Sequence, residues 1–142
     1  MSGKILIPID FSDVTDAVVK EAQRLAKALN AELHLLHVAA PDPQFVGYEM
    51  GPVLLRESLE TRMREHRERL DRRAEEIRQS GMDATVVIVP GDPVEQILYQ
   101  AGRMNATCIV LGSHGHGALY HLLAGSVCTG VLRGASCPVH IV

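Results

Sequence analysis

The feature that most constrains the fold is a repeated change of hydrophobic period along the chain. Short, nearly continuous apolar runs, typical of strands buried on both faces, alternate with segments whose apolar residues recur every three or four positions, as on one face of a helix. The predicted strands are Lys4–Ile9, Glu32–Val38, Ala84–Val89, Thr107–Leu111 and Val139–Val142. Regular alternation of strand and helix predicts an α/β protein with a parallel sheet and helices on both faces.

Two helix starts carry local capping signals. The first helix follows the first strand, and Ser12 or Asp13 is predicted as its N-cap. A later helix opens after the third strand, where Asp92 suits the N-cap, Pro93 the first helical position and Glu95 the acid of a capping box. Both signals place a helix directly after the carboxyl end of a strand.

The longest predicted helix, Val53–Ser80, holds eight of the fourteen basic residues of the chain. Seven acidic residues are interleaved with them, and pairs such as Glu65 and Arg69 have the favourable i,i+4 spacing. Such alternation is typical of an exposed face with many salt bridges and argues against a phosphate-binding surface. His66 lies on the apolar stripe of the helix, so packing is its expected role.

Length and charge limit the functional classes. The 142 residues predict one domain spanning 1–142, and 17 acidic against 14 basic residues give a net charge of −3. This balance lacks the basic footprint of a nucleic-acid partner, and no apolar stretch approaches the roughly 20 residues that cross a membrane. Three cysteines without a CxxC motif, and an N-terminus without a signal-peptide pattern, lead us to expect a cytoplasmic protein.

A glycine-bearing stretch follows the fourth strand and carries the clearest chemical signal. Gly112, Gly115 and Gly125 let a ligand approach the backbone, and Ser126 opens a helix whose free N–H groups favour an anion. Read from composition alone, these residues are equally compatible with turn glycines and a plain helix start. A Walker loop is excluded because no lysine follows Lys27, and the Rossmann spacing does not fit.

The spacing Gly112-x2-Gly115-x9-Gly125-Ser126 resembles the ATP-binding signature of the universal stress protein family, G-x2-G-x9-G-[ST]. The resemblance extends over nearly the whole chain. Three further segments are similar to the family's first strand and turn, its second strand, and its third-strand exit: Ile7–Ser12, Leu35–Val38 and Gly91–Pro93. The stretch from Ser126 to Val139 is similar to its last helix and strand.

The resemblance implies a three-layer sandwich around a five-stranded parallel sheet in the order 3-2-1-4-5. Strands one and four would then be neighbours where the order reverses, and a ligand crevice is expected at their carboxyl ends. By resemblance, the adenosine end of ATP would contact Pro8, Ile9, Asp10 and Val38. The phosphates would be surrounded by Gly112, Gly115, His116, Gly125, Ser126 and Val127.

Two of these assignments have alternatives in the sequence. Asp10 suits hydroxyl and amine donors of a nucleoside, but it could serve mainly as a cap of the first helix. His116 stands where the family often has Arg or Lys, so phosphate attraction is expected to be weaker or pH-dependent. A dedicated metal site formed by His114, His116 and His121 is not expected. Mg²⁺ or Mn²⁺ held mainly by the ATP phosphates is the favoured alternative.

Taken together, these patterns predict an ATP-binding stress or signalling protein that acts as a nucleotide-dependent switch. Nothing near the glycine stretch resembles a water-activating base, so any hydrolysis should be slow. One alternative is a slow ATPase or nucleotidyl-transferring enzyme that uses Asp10 or His114 as base; another is a dimeric interaction module without nucleotide. The apolar C-terminal strand, residues 138–142, is expected to pair with its copy in a homodimer.

Overall fold

Nine elements alternate along the chain in a computed structural model that describes residues 3–39, 52–113 and 126–142, with the backbone alone for 52–57. The strands are β1 Gly3–Pro8, β2 Ala31–Ala39, β3 Ala84–Pro90, β4 Cys108–Leu111 and β5 Val139–Ile141. The helices are α1 Thr15–Leu29, α2 Pro52–Gln79, α3 Pro93–Met104 and α4 Ser126–Gly134. Each predicted strand is present, with its ends within one residue of the expected positions.

The five strands form one parallel sheet in the order β3-β2-β1-β4-β5, which confirms the predicted order. Strand β1 is central: it pairs with β2 up to Pro8 opposite Leu36, and with β4 through Ile5 opposite Cys108. From β1 the chain adds β2 and β3 on one side and β4 and β5 on the other. The order therefore reverses between β1 and β4, and their carboxyl ends diverge into helices on opposite faces.

Both faces of the sheet are covered, as the apolar strands predicted. Successive residues of β1 point to opposite sides, so Ile5 and Ile7 enter one core while Leu6 enters the other, and all three are fully buried. The first core contains buried residues of α1 and α2, and the second contains buried residues of α3 and α4. In the described part of the chain, no helix is long and apolar enough to cross a membrane.

The start of α1 differs from the prediction. Its N-cap is Val14, which makes no side-chain capping bond, so neither Ser12 nor Asp13 caps the helix. The physical reason lies in the preceding turn. The Ser12 amide donates to Asp10 Oδ1 at 2.9 Å, and the Thr15 amide donates to the Ser12 carbonyl at 3.1 Å, which delays the first helical turn. Asp10 therefore stabilises the turn that leads into α1 rather than the helix itself.

The start of α3 follows its sequence signal. Asp92 is the N-cap, its Oδ2 accepts a hydrogen bond of 3.0 Å from the Glu95 amide, and Pro93 occupies the first turn. The helix ends at Asn105, which adopts the left-handed conformation with φ of 56°. These caps set where α3 begins, at the carboxyl edge of β3, and where it ends before β4.

Helix α2 packs through its C-terminal half, where Leu70, Ala74 and Ile77 are buried in the first core. The predicted ion pair between Glu65 and Arg69 is not formed among the described residues. The Arg69 guanidinium instead lies over the Phe11 ring, 4.1 Å from its centroid. An exposed i,i+4 pair is worth only a few tenths of a kcal/mol. The aromatic face is therefore a competitive partner for this cation.

Candidate functional site

A cavity of about 300 Å³ opens at the carboxyl ends of β1 and β4, at the point where the strand order reverses. It is enclosed by the end of β1 and the following turn, the end of β2, and the beginnings of α1, α3 and α4. Crevices at such reversal points are the usual ligand sites of open parallel sheets. Its position agrees with the crevice that the resemblance implied.

Seven of the ten residues predicted to bind nucleotide line this one cavity. They are Pro8, Ile9, Asp10, Val38, Gly112, Ser126 and Val127. These residues come from β1, β2, β4 and α4, which are separated along the chain and meet only through the sheet topology. The other three, Gly115, His116 and Gly125, lie outside the described residues.

The wall of the cavity between α1 and α3 is apolar. Val14 and Val18 contribute from the α1 side, Ile97 from α3, and Leu111 from the end of β4. None of the four is among the residues predicted to bind nucleotide, although the helical period places Val14, Val18 and Ile97 on the inner faces of the predicted helices. An apolar wall of this kind suits the flat face of an aromatic base.

Asp10 supplies an acidic group at the mouth of the cavity. The residue is exposed, and its Oδ1 accepts the Ser12 amide at 2.9 Å. The next residue, Phe11, has a φ of 61°, a left-handed conformation that a bulky side chain adopts only when neighbours hold it. The chain therefore turns sharply after Asp10, and this turn leaves the Asp10 side chain on the cavity wall.

Another part of the cavity wall is formed by Gly112, Ser113 and the first turn of α4. Ser126 is the first residue of α4 and is exposed, while Val127 and Cys128 follow it on the cavity wall. The unpaired N–H groups of a helix start carry partial positive charge, so this end favours an anionic group. Burial raises the pKa of the Cys128 thiol, which keeps it neutral, as expected for a packed cysteine.

His37 is a cavity residue that the sequence analysis did not assign to the site. Its Nδ1 lies 2.7 Å from the Ile9 carbonyl oxygen, and the residue is only 8% exposed. Its ring packs against those of Phe11 and His66, with centroid distances of 4.9 and 4.3 Å. Val38, the next residue of β2, was predicted to contact the ligand, and this proximity was the available signal for His37. The signal was weak because adjacent residues of a strand normally point to opposite faces of the sheet.

Burial governs the titration of this histidine pair. Desolvation lowers the pKa of His37, and it lowers the pKa of His66 to about 4, helped by the nearby His37 and two arginines. His66 Nδ1 is buried without a hydrogen-bond partner in the part of the chain that the structure describes. Both rings are therefore neutral near pH 7.

The three histidines considered as zinc ligands, His114, His116 and His121, lie outside the described residues. Within residues 3–39, 52–113 and 126–142, no group of three or more His, Cys, Asp or Glu side chains could hold a metal ion. His34, on the same strand as His37, contacts Glu32 at 2.8 Å and Thr85 at 2.7 Å instead, away from the cavity.

The sheet order and the cavity at its reversal point define a doubly wound α/β protein with a ligand crevice at the switch point. Comparison with known proteins then assigns the family. The chain matches the family model described as universal stress protein family over residues 1–142, and it belongs to that family.

Relatives support this assignment along the full chain. Universal stress protein MJ0531 of Methanocaldococcus jannaschii is 34% identical over 141 residues, which cover 98% of this chain and 81% of the relative. The solved structure of MJ0577, from the same organism, superposes with a TM-score of 0.86 at 28% identity and covers 100% of this chain and 96% of its own. A universal stress protein in complex with cAMP has a TM-score of 0.63 at 25% identity, covering 99% and 96%.

Proposed function

We propose that the protein binds ATP in the cavity at the β1–β4 switch point and acts as a nucleotide-dependent stress or signalling switch. The observation that carries this proposal is the convergence of seven of the ten expected binding residues on one cavity. These residues belong to segments that are distant along the chain and meet only in the folded protein, as a binding site for one ligand requires.

The chemistry of the cavity suits the three parts of a nucleotide. The apolar wall containing Val14, Val38 and Ile97 takes the base, and the Asp10 carboxylate accepts hydrogen bonds from ribose hydroxyls or the base amine. Gly112 and the start of α4 at Ser126 receive the phosphates, because a helix N-terminus attracts anions. A phosphate next to Asp10 would be repelled, which sets the orientation of the ligand.

A relative supports an adenine nucleotide as the class of ligand. The universal stress protein that was solved in complex with cAMP shares 25% of its aligned residues with this chain. Any Mg²⁺ or Mn²⁺ would then enter with ATP and be held mainly by its phosphates. The described cavity wall offers one carboxylate, Asp10, which lies at the end assigned to the nucleoside.

The switch is proposed to be cytoplasmic and dimeric. Its three cysteines are free thiols, in keeping with a reducing compartment. Strand β5 lies at one edge of the sheet, where Ile141 is 38% exposed, and an apolar edge strand is suited to pair with a second copy. Two-fold pairing of β5 with its copy would close the interface without polymerisation.

The decisive experiment is to denature the purified protein and identify any released nucleotide by chromatography, followed by calorimetric titration of the nucleotide-free protein. ATP should bind more tightly than adenosine, and GTP should bind more weakly than ATP. Absence of released nucleotide together with no measurable heat for ATP or adenosine would refute the proposal. Measured turnover of bound ATP separates the switch from a slow ATPase.

A further inference from the structure

The segment that follows β1 is held to β2 by a side chain as well as by the backbone. The backbone ladder between them ends with Pro8 opposite Leu36, and one further bond runs from the Ile9 amide to the Leu36 carbonyl at 2.7 Å. In a continued parallel ladder the Ile9 carbonyl would receive the Val38 amide. Here the imidazole of His37 lies at hydrogen-bond distance from that carbonyl instead.

The protonation of His37 follows from its partner. A carbonyl oxygen can only accept, so the Nδ1 that lies 2.7 Å from it must carry the proton. Burial lowers the pKa of His37, so the ring is neutral at pH 7 and the single proton is the one donated to Ile9. The bond is buried, which makes leaving the carbonyl without a donor unfavourable.

The held carbonyl belongs to the peptide that joins Ile9 to Asp10. On the other side of Asp10, Phe11 has a left-handed backbone conformation, and its ring is in contact with two groups of α2. The Arg69 guanidinium carbon lies 4.1 Å from the Phe11 ring centre, and the His66 ring centre lies 4.9 Å from it. The backbone is therefore restrained both immediately before and immediately after Asp10. Asp10 itself is exposed, its Oδ1 accepts the Ser12 amide at 2.9 Å, and the direction of its side chain depends on the course of this restrained backbone.

We propose that His37 is a positioning residue for nucleoside binding: its bond to the Ile9 carbonyl presets the peptide that directs the Asp10 carboxylate toward the cavity. This inference rests on the proposed function and goes beyond it by assigning a role to a residue outside the expected binding set. His37 acts through Asp10, so it contributes to recognition of the nucleoside and not of the phosphates. A preset carboxylate loses less conformational freedom when the ligand binds.

The test compares three variants by calorimetric titration with adenosine and with ATP. His37→Leu removes the donor, His37→Asn retains an amide donor near the position of Nδ1, and His34→Leu removes a histidine from the same strand away from the cavity. We expect His37→Leu to lose about tenfold in affinity for both ligands, as for one buried hydrogen bond. The ratio of ATP to adenosine affinity should stay constant, His37→Asn should recover most of the loss, and His34→Leu should bind as wild type.

A second measurement does not depend on the ligand. The Ser12 amide donates to Asp10 Oδ1, so its hydrogen exchange reports how well Asp10 is held. Exchange should be faster in His37→Leu than in wild type, and unchanged in His34→Leu. Wild-type affinity and unchanged Ser12 exchange in a folded His37→Leu would overturn the positioning role while leaving the proposed function intact. Failure of wild type to bind either ligand would instead overturn the proposed function.

Discussion

The Ser113 amide donates a hydrogen bond of 2.9 Å to the carbonyl of Val142, and the Val142 amide donates one of 2.9 Å to the carbonyl of Leu111. These two bonds join the C-terminal edge of the sheet to the segment that lines the cavity at Leu111, Gly112 and Ser113. The edge proposed for dimerisation and the cavity proposed for nucleotide are therefore linked by the main chain. Removal of Val142 would therefore delete two bonds that hold the segment assigned to the phosphates, whether or not β5 pairs with a second copy.

Two variants of β5 should separate these two roles. Ile141→Lys places a charge on the exposed edge and should produce a monomer in sedimentation velocity, with ATP affinity close to that of wild type. Deletion of residues 139–142 should also produce a monomer, but ATP binding should weaken because the Ser113 amide loses its acceptor. Leu29→Lys is the control, at a leucine of α1 that is 50% exposed against 38% for Ile141, and it should leave the dimer unchanged. A dimeric deletion variant would contradict the proposed interface.

Asp10→Ala should weaken adenosine and ATP binding by the same factor, about tenfold or more, because a charged hydrogen-bond acceptor for the nucleoside is lost. Calorimetry with both ligands measures this. Asp13→Ala is the matched control, since Asp13 is exposed and does not line the cavity. If Asp10→Ala lowers the free energy of unfolding while both affinities are unchanged, the carboxylate serves only the turn before α1.

Gly130→Ala should force α4 away from α3. A Cβ at Gly130 would lie 2.7 and 2.9 Å from the two methyl carbons of Val94, a β-branched side chain with little freedom to move. We expect a loss of about 1–3 kcal/mol in the free energy of unfolding, measured in urea, as for other overpacked sites. ATP affinity should fall as well, because α4 also carries Ser126 and Val127.

Gly102→Ala in α3 is the matched control for that substitution. A Cβ at Gly102 meets nothing within 4 Å, so the helix propensity of alanine should dominate. Stability should increase by about 0.5–1 kcal/mol. A destabilisation of equal size in both variants would show that contact with Val94 is not the cause.

Protonation of His66 should destabilise the fold in acid. The pKa of His66 is lowered to about 4 in the folded protein by burial and by nearby positive charge, while in the unfolded chain it returns to about 6.5. The unfolded state therefore binds more protons between these values. Stability from this group is fully present above pH 6.5 and is lost as the pH falls through about 4.

The measurement is the midpoint of urea unfolding between pH 7.5 and 4.5, in wild type and in His66→Phe. The variant keeps an aromatic ring against Phe11 but cannot be protonated, so its stability should fall less over this range. His37 titrates in the same direction, because burial also lowers its pKa, and a part of the slope should therefore remain. Parallel pH profiles for wild type and the variant would exclude His66 as the source.

Local sequence rules were sufficient at α3 and failed at α1, where two local contacts compete. The capping of α3 by Asp92 was predicted because the acceptor and the Glu95 amide are three residues apart. At α1 the same rules pointed to Ser12 or Asp13, and they were wrong. There the Asp10 carboxylate takes the Ser12 amide, and the resulting turn moves the helix start to Thr15. A competing acceptor just upstream was enough to shift the boundary.

The sequence by itself determined the order and type of the elements, since the hydrophobic period is a property of each segment alone. With the family resemblance, it also indicated which residues would bind nucleotide. Only the tertiary structure placed His37 beside them, in the wall of the same cavity. Its contact with Ile9 joins residues 28 positions apart, and Phe11 meets Arg69 only after α2 has packed beside the β1–α1 turn. Such contacts depend on how distant segments pack, and no local pattern records that.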